Sequence, residues 1–589
     1  MIEVVAPIAG LVVEVAVAGA PVAAGGTVAV LEAMKIEHVI TVPLGGTVAS
    51  LSVAIGDLVE AGQHLLTLTP GGTAAAAVPP PEPRGDLGEL RARLALTLDA
   101  ARPEAVARHH ARGRRTAREN LADLVDPGSF DEFGGLAIPA QRRRHSVDHL
   151  RATGPADGLV AGTATIEGTA ALVMAYDFTV MAGTQGHANH KKTDRMLGLA
   201  HRARLPVVWF VEGGGGRPGD TDGFAATGLD VPSFRAFAAL SGRVPRIAIA
   251  AGRCFAGNAV MFGLADVTIA TDDSNIGLGG PAMIEGGGLG RFAPEDIGPI
   301  AVMRANGVVD LVAADEATAT ALAKTVLGYL TRRVDRNWTA SDPATLRDIV
   351  PVNRVRAYDI RAVIAALADT GSVVELRRDF GPGMVTAFVR IGGAPFALIS
   401  NVPAHLGGAI DADAATKAAR FLALADSFGL PVISLCDTPG FMVGPDAEVA
   451  GGVRHGARLF TIGAALTVPV FTVVVRKGYG LGAMAMAAGG FAATNATIAW
   501  PTAEFGGMGL EGAVRLGYAK ELAAEPEMTR DALFERLVTQ LYAAGKATSV
   551  AEWLEIDAVI DPAETRDWLL RGLAAAGEIH PSGRMVDNW

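Results

Sequence analysis

The sequence is short of most features that would place it outside the ordinary globular enzymes. Its 589 residues include two cysteines, Cys254 and Cys436. Two cannot build a disulfide framework, and neither has Cys or His neighbours at metal-ligand spacing, so a reducing compartment and no resident metal are expected. Both are expected to be small buried hydrophobes. His109-His110 and the pair His187/His190 also lack carboxylates or cysteines at ligand spacing. Charged residues make up 19% of the chain, against the roughly 25% usual for globular proteins. The 62 acidic and 51 basic residues give a formal net charge of −11, which argues against a nucleic-acid surface. No apolar run is long enough for a spanning helix: Arg253 and Asp266 bound one, and Arg476 with Lys477 cut another. The first twenty residues have no basic segment, so a secretory signal is not expected. These exclusions leave a soluble, cytoplasmic protein with no nucleic-acid or membrane partner.

Glycine is abundant, at 72 residues, so the interior is expected to contain many close backbone approaches. The hydrophobic fraction of 50% excludes disorder of the whole chain. Residues 1–70 read as short strands, VVEVAV, GTVAVL, GTVASLSV and HLLTL, separated by Gly-containing turns. They also repeat: APIAGLVVEVAVAGAPVAAG resembles VPLGGTVASLSVAIGDLVEAG, with Pro7 matching Pro43 and Gly25 matching Gly62. Two similar strand sets predict a small flattened barrel with a pseudo-twofold axis. Residues 71–86 are rich in Ala and Pro and read as a semi-rigid linker. A basic helical stretch follows from residue 87, then a long α/β region in which strands such as TATIEGTAALVMAY and LPVVWFV alternate with helices such as HKKTDRMLGLAHRA and TKAARFLALADSFG.

That α/β region is itself duplicated. LPVVWFVEGGGG begins at Leu205 and LPVISLCDTPGF at Leu430; VPRIAIAAG begins at Val244 and VPVFTVVVR at Val468. Each second strand leads into a Gly-rich turn and a small-residue helix, CFAGNAVMFGLAD and GYGLGAMAMAAGG. The expected boundaries are 1–70, 71–86, 87–345 and 346–589. A turn that opens a helix aims unpaired N–H groups, and the positive end of the helix dipole, at whatever lies before it. Taken alone, such a turn is more often close helix–strand packing; two equivalent turns point to a reaction with two oxyanions to hold.

Between the repeat halves of the first seventy residues lies Glu32-Ala33-Met34-Lys35-Ile36. This segment resembles the biotinyl domain of biotin-dependent carboxylases, whose tetrapeptide of this type carries biotin on its lysine. The resemblance implies covalent biotin on Lys35, beside Met34. Residues 87–589 resemble the carboxyltransferase subunit of acyl-CoA carboxylases, the propionyl-CoA and acetyl-CoA group. The matching segments are ARGRRTARENLADLVDPGSFDEFG, Asp177-Phe178-Thr179-Val180, Asp437-Thr438-Pro439-Gly440-Phe441, Arg476-Lys477-Gly478-Tyr479-Gly480 and Ala499-Trp500-Pro501-Thr502-Ala503.

The resemblance implies an α/β chain of two crotonase-like (ββα spiral) carboxyltransferase domains behind a small all-β biotinyl barrel. It implies a transferase that moves CO2 from carboxybiotin on Lys35 to the α carbon of a short acyl-CoA through an enolate. The first hole would be made by the amides of Gly257 and Asn258, with Gly214, Gly215 and Gly257 at the thioester end of CoA. The second would be made by Leu481 and Gly482, with Gly480 and Gly482 at the biotin. Both turns depart from the family pattern, at Asn258 and at Leu481. Met484 falls at the family position lining the acyl pocket, and Glu212-Gly213-Gly214-Gly215-Gly216-Arg217 replaces the family's Ser-Gly-Gly-Ala-Arg. Lys191, Lys192 and Arg195 could meet CoA phosphates but read better as a solvated basic face. No biotin carboxylase domain is recognised. The implied partners are therefore a separate biotin carboxylase, a biotin-protein ligase, the acyl-CoA and further copies of the chain, as a dimer or a ring of dimers. The alternatives are a subunit of a biotin-dependent acyl-CoA decarboxylase coupled to a sodium pump, and a non-catalytic biotin carrier scaffold.

Overall fold

The computed structural model describes residues 1–71, 84–222 and 230–589. Most of the linker expected at 71–86 lies outside them, and its last residues already belong to the helix Gly85–Ala95. The chain divides into two compact units, Met1–Glu89 and Leu90–Trp589. Among the described residues no helix is long and apolar enough to cross a membrane.

The first unit is two four-stranded antiparallel sheets. One holds Ile2–Val5, His64–Pro70, Gly46–Leu51 and Pro21–Val22; the other holds Ile36–Thr41, Thr27–Ala33, Gly10–Val15 and Leu58–Val59. Alternating residues such as Val12, Val28, Leu31, Val48, Leu66 and Leu68 fill the space between them. The repeat seen in the sequence is a repeat of hydrogen bonds. Gly19 N–H donates to Val48 O, as Gly56 N–H donates to Val12 O; Gly25 donates to Val42, as Gly62 donates to Ala6. All four glycines are left-handed, with φ between 80° and 96°, a conformation that costs glycine nothing and other residues about 1 kcal/mol.

The second unit contains two sheets built to one plan. The first runs Leu311–Ala313, Val267–Thr271, Arg246–Ala250, Val207–Phe210, Thr169–Tyr176, Leu159–Ile166 and Asp131–Glu132. The second runs Val374–Leu376, Met384–Ile391, Ala394–Asn401, Val432–Thr438, Val470–Tyr479, Ala496–Ala499 and Ala558–Val559, with Glu504–Gly506 added beside the end of Val470–Tyr479. Each contains one long antiparallel hairpin and then parallel strands. The segment TATIEGTAALVMAY, read from sequence as one strand, is the hairpin itself. It reverses at Glu167 and Gly168, both at positive φ, and registers Ile166 against Thr169. Two 17-residue helices, His187–Ala203 and Ala412–Phe428, occupy equivalent places.

One apolar core runs through both halves, from Val160, Ile247 and Ile269 to Phe388, Phe421 and Val474. Buried ion pairs add direction to it. Arg246 meets Asp266 at 2.6 Å and Arg377 meets Asp310 at 2.7 Å, while Arg420 donates to the Asp266 carbonyl at 2.8 Å. The C-terminal tail returns to the first half, where the Ser241 hydroxyl accepts from the Val586 amide at 2.9 Å and donates to the Val586 carbonyl at 3.0 Å.

Candidate functional site

Lys35 sits on a two-residue turn that joins Thr27–Ala33 to Ile36–Thr41 in the register Ala33↔Ile36. Met34 and Lys35 are both left-handed, at φ 52° and 65°, which is how a two-residue hairpin matches the strand twist. Glycine or asparagine would do this at lower cost. The exposed lysine is held there anyway, and Met34 beside it is 96% exposed. No polar partner holds the Lys35 amine among the described residues. A free amine on a rigid tip fits a covalently attached biotin.

The first turn is built where Arg253–Phe255, paired in parallel with Asn275–Gly277, enters the helix Gly257–Gly263. Ala256 breaks the strand at φ 53°, ψ −122°, and its N–H is taken by Gly277 O at 2.9 Å. The amides of Gly257, Asn258 and Ala259 follow with no acceptor among the described residues. Gly257 has no room for a side chain, because a Cβ would strike the Gln185 amide oxygen. Gly215 lies over the mouth of this turn at φ 84°. A Cβ there would stand 2.6 Å from Ala256 Cβ and 3.6 Å from the Gly257 nitrogen. Gly215 is buried against the turn, where only a residue without a Cβ fits, and Gly214 is exposed beside it. The structure thus brings Gly214, Gly215, Gly257 and Asn258 together.

The second turn is the same construction in the other half. Lys477–Tyr479 pairs with Glu504–Gly506 and leads into the helix Gly480–Met486. Gly480 takes φ 56°. A Cβ on Gly482 would lie 2.7 Å from the Gly440 backbone, so this helix packs directly on the Thr438-Pro439-Gly440 bend. The Leu481 and Gly482 amides have no acceptor among the described residues. Leu481 is 62% exposed and Met484, one turn later on the same helix, 37%.

Behind the second turn lies a buried constellation that sequence reasoning used only as signature segments. Asp437 accepts from Tyr358 OH at 2.9 Å, Arg476 Nε at 3.1 Å and the Lys477 amide at 3.1 Å. Arg476 lies 4.8 Å over the Tyr358 ring and donates to Arg356 O at 2.7 Å. Breaking such a buried pair from one side costs about 3–5 kcal/mol, so it fixes where the strand end delivers its glycines. The signal available in the sequence was a charged pair, Arg476-Lys477, inside an otherwise apolar strand. Tyr358, more than a hundred residues before it, gave none.

Near the first turn, burial pushes the Glu212 carboxyl up to about 8, against the pull of Arg114 and with help from Glu316, Asp177 and Asp273. A carboxyl raised in the folded state contributes stability below its ordinary 4.5 and loses it as pH rises toward 8. Glu212→Gln should accordingly be more stable than the wild type at pH 8 by on the order of 2 kcal/mol, a figure reduced because the residue keeps some solvent contact. Urea unfolding at pH 5 and pH 8 should show that gap narrowing toward acid pH; an equal gap at both would contradict it.

Of the basic face expected at Lys191, Lys192 and Arg195, Lys191 and Arg195 are exposed, and only Lys192 needs correction. Lys192 is buried and donates through Nζ to Ala156 O at 2.9 Å and to Leu159 O. Burial lowers its amine to about 8. It ties its helix to the start of the sheet and faces neither solvent nor a phosphate, because a lysine stem long enough to snorkel is also long enough to reach inward. Cys254 and Cys436 are free and fully buried.

No hydrogen bond or ion pair joins the two turns among the described residues, and both halves expose apolar side chains. Leu278, Met283, Leu289 and Phe292 lie in the first half, and Met442, Val443, Val449 and Val453 in the second.

Residues 108–579 match the carboxyl transferase domain family, and residues 1–68 match the family described as biotin-requiring enzyme. The chain is 35% identical over 498 residues to the methylmalonyl-CoA carboxyltransferase 12S subunit of Propionibacterium freudenreichii subsp. shermanii, covering 82% of this chain and 91% of that one. It is 33% identical over 535 residues to the propionyl-CoA carboxylase beta chain of Saccharopolyspora erythraea, covering 85% and 96%. A single-chain, multi-domain long-chain acyl-CoA carboxylase superposes with a TM-score of 0.80 at 56% identity; the match covers 97% of this chain but spans only 56% of that protein's length. The transcarboxylase 12S hexamer, solved with methylmalonyl-CoA bound, superposes with a TM-score of 0.75 at 32% identity, covering 86% and 97%. The chain belongs to the carboxyl transferase family, and carries the domain of a biotin-requiring enzyme at the head of the same polypeptide.

Proposed function

We propose that this chain is the carboxyltransferase and biotin-carrier component of an acyl-CoA carboxylase, moving a carboxyl group from biotin on Lys35 to the α carbon of an acyl-CoA. The observation that carries the reading is the pair of equivalent amide turns, one in each half, together with a presented lysine on the carrier unit. Biotin bound at Lys35 supplies the carboxyl group and a ring nitrogen able to take a proton from the acceptor. The chain's own contribution is dipoles and position. The Gly257 and Asn258 amides face the thioester oxygen and favour its enolate charge, while Gly214 and Gly215 leave the thioester end of CoA room to approach. The Leu481 and Gly482 amides would hold the oxygen of the biotin ring, with Gly480 giving the bend that aims them. Each donor aimed at a developing oxyanion is worth about 3 kcal/mol in a water-poor site, and orientation of the two reactants supplies much of the rest.

The same reading assigns the partners. A biotin carboxylase loads the carrier, a biotin-protein ligase modifies Lys35, and further copies of this chain complete the site, with the first turn of one subunit facing the second turn of another. The exposed apolar residues in each half support that pairing, since such patches mark contact surfaces. Among the relatives, one is solved as a hexamer.

The acyl group is proposed to be an apolar chain. Met484, one turn beyond Leu481, presents an exposed apolar side chain. Beside the turn, Ile410, Phe441, Met442, Val443 and Pro445 line a cleft of about 340 Å³. Met484→Asp should therefore cut kcat/KM at least tenfold for palmitoyl-CoA and much less for acetyl-CoA, as expected for removing apolar contact from a chain-length pocket. A chain-length series run on both proteins checks this; equal losses across the series would remove Met484 from the acyl pocket. The whole reading is tested by reconstituting the biotinylated chain with a biotin carboxylase, ATP and bicarbonate, and assaying acetyl-, propionyl- and palmitoyl-CoA.

A further inference from the structure

Asn258 occupies the second position of the helix Gly257–Gly263, where the resemblance calls for glycine. An asparagine so early in a helix has a side chain that competes for nearby backbone groups. Here it is wholly buried and is used in full. Its Oδ1 accepts the Gly215 amide at 2.9 Å, and its Nδ2 reaches Glu212 O at 3.4 Å and Gly183 O at 3.5 Å. The orientation follows from these partners: one donor faces the oxygen and two carbonyls face the nitrogen, so the reverse flip would set acceptors against an acceptor.

The loop it holds is shaped to receive it. A Cβ on Gly213 would collide with the Asn258 amide and with Gly183 O. Gly213 therefore leaves the space that Asn258 fills, and the two residues form one device. Its consequence is at Gly215. That residue's N–H is tied by Asn258, and it packs so close to the turn that an added Cβ would strike Ala256 and come within 3.6 Å of the Gly257 nitrogen. The side chain thus joins the helix, the Glu212–Gly216 loop and the bend at Gly183 into one wall around the first turn.

We propose that the Asn258 side chain is a positioning residue that holds the Gly213–Gly216 loop against the first amide turn and so sets the geometry in which the acyl-CoA thioester is received. The inference rests on the function proposed above. It concerns the side chain alone; the Asn258 backbone amide keeps its separate role at the oxyanion.

The test is steady-state kinetics of the full biotinylated chain with its carboxylase partner, using propionyl-CoA and palmitoyl-CoA, with thermal unfolding measured in parallel. Asn258→Gly keeps the backbone amide and loses the strap; its KM for the acyl-CoA should rise about tenfold or more, with a smaller change in kcat. Asn258→Asp is the conservative rescue. A protonated carboxylic acid can accept from Gly215 and donate to a carbonyl, whereas a buried carboxylate repels both carbonyls. The KM ratio of Asn258→Asp to wild type should accordingly lie near one at acid pH and climb as pH rises. A drop in kcat or melting temperature with KM unchanged in Asn258→Gly, or a pH-independent ratio in Asn258→Asp, would reduce Asn258 to a packing residue and overturn the proposal. Should Asn258→Gly not fold, the pH dependence of Asn258→Asp decides alone. A wild-type chain that carboxylates neither thioester sinks the functional reading itself, which is a different result from active wild type with indifferent variants.

Discussion

Replacing Lys35 by arginine should abolish carboxyl transfer while leaving the chain folded. Both residues tolerate the exposed turn equally well, since neither side chain makes a contact there that the fold needs: Lys35 is exposed and its amine has no partner among the described residues. The left-handed φ of 65° penalises any non-glycine residue alike. What arginine lacks is a primary amine for the amide bond to biotin. The loss should be at least ~10³-fold, because tethering converts a second-order encounter into an internal one at an effective concentration in the millimolar range. Free biotin at millimolar concentration should restore a fraction of the turnover if the transferase unit is intact. Intact mass spectrometry after expression with a biotin ligase checks the modification. A biotin adduct persisting in Lys35→Arg, or full activity without one, would place the attachment elsewhere.

The second large effect is expected from deleting one N–H without touching a side chain that matters. Leu481→Pro does this. Leu481 is 62% exposed and lies in the first turn of its helix, where proline is tolerated because the missing N–H has no helical acceptor. If that amide holds the oxygen of the biotin ring, kcat should fall by about 10²–10³, or roughly 3–4 kcal/mol of barrier. The KM for the acyl-CoA should barely move, since its thioester is held at the other turn and the Leu481 amide faces the biotin side. Leu481→Ala, which keeps the amide, should remain within a few-fold of wild type. Equal losses in the two variants would show that the leucine side chain, and not its backbone, matters.

The parts of this molecule that were legible in the sequence are those carried by short, local patterns. Gly25 and Gly62 announced a repeat because a left-handed turn demands glycine, and the structure places them, with Gly19 and Gly56, in matching hydrogen bonds. The duplicated strands at Leu205 and Leu430 read well because each is a mostly apolar run closed by a Gly-containing turn, as buried parallel strands tend to be. Long-range partnership was not legible. The reversal at Glu167-Gly168 was hidden because apolar residues continue on both sides of it. The added pairs, Arg253–Phe255 with Asn275–Gly277 and Lys477–Tyr479 with Glu504–Gly506, lie apart in sequence and carry no periodicity of their own. Lys192 was misread because charge at helical spacing looks solvated until a carbonyl is found within reach. Asn258 stood out only as a departure, and its meaning depends on Gly213 and Gly215, more than forty residues earlier.

The most direct test of two amide turns serving one transfer is a single-turnover experiment. The biotinylated chain, loaded with isotopically labelled carboxyl by its carboxylase partner and freed of ATP, is mixed with propionyl-CoA or palmitoyl-CoA. The label should pass to the α carbon of the thioester in the wild type, at one equivalent per loaded subunit, and Leu481→Pro should slow that passage by two to three orders of magnitude. Release of all the label as carbon dioxide from the loaded wild type, with none in the thioester, would contradict the account.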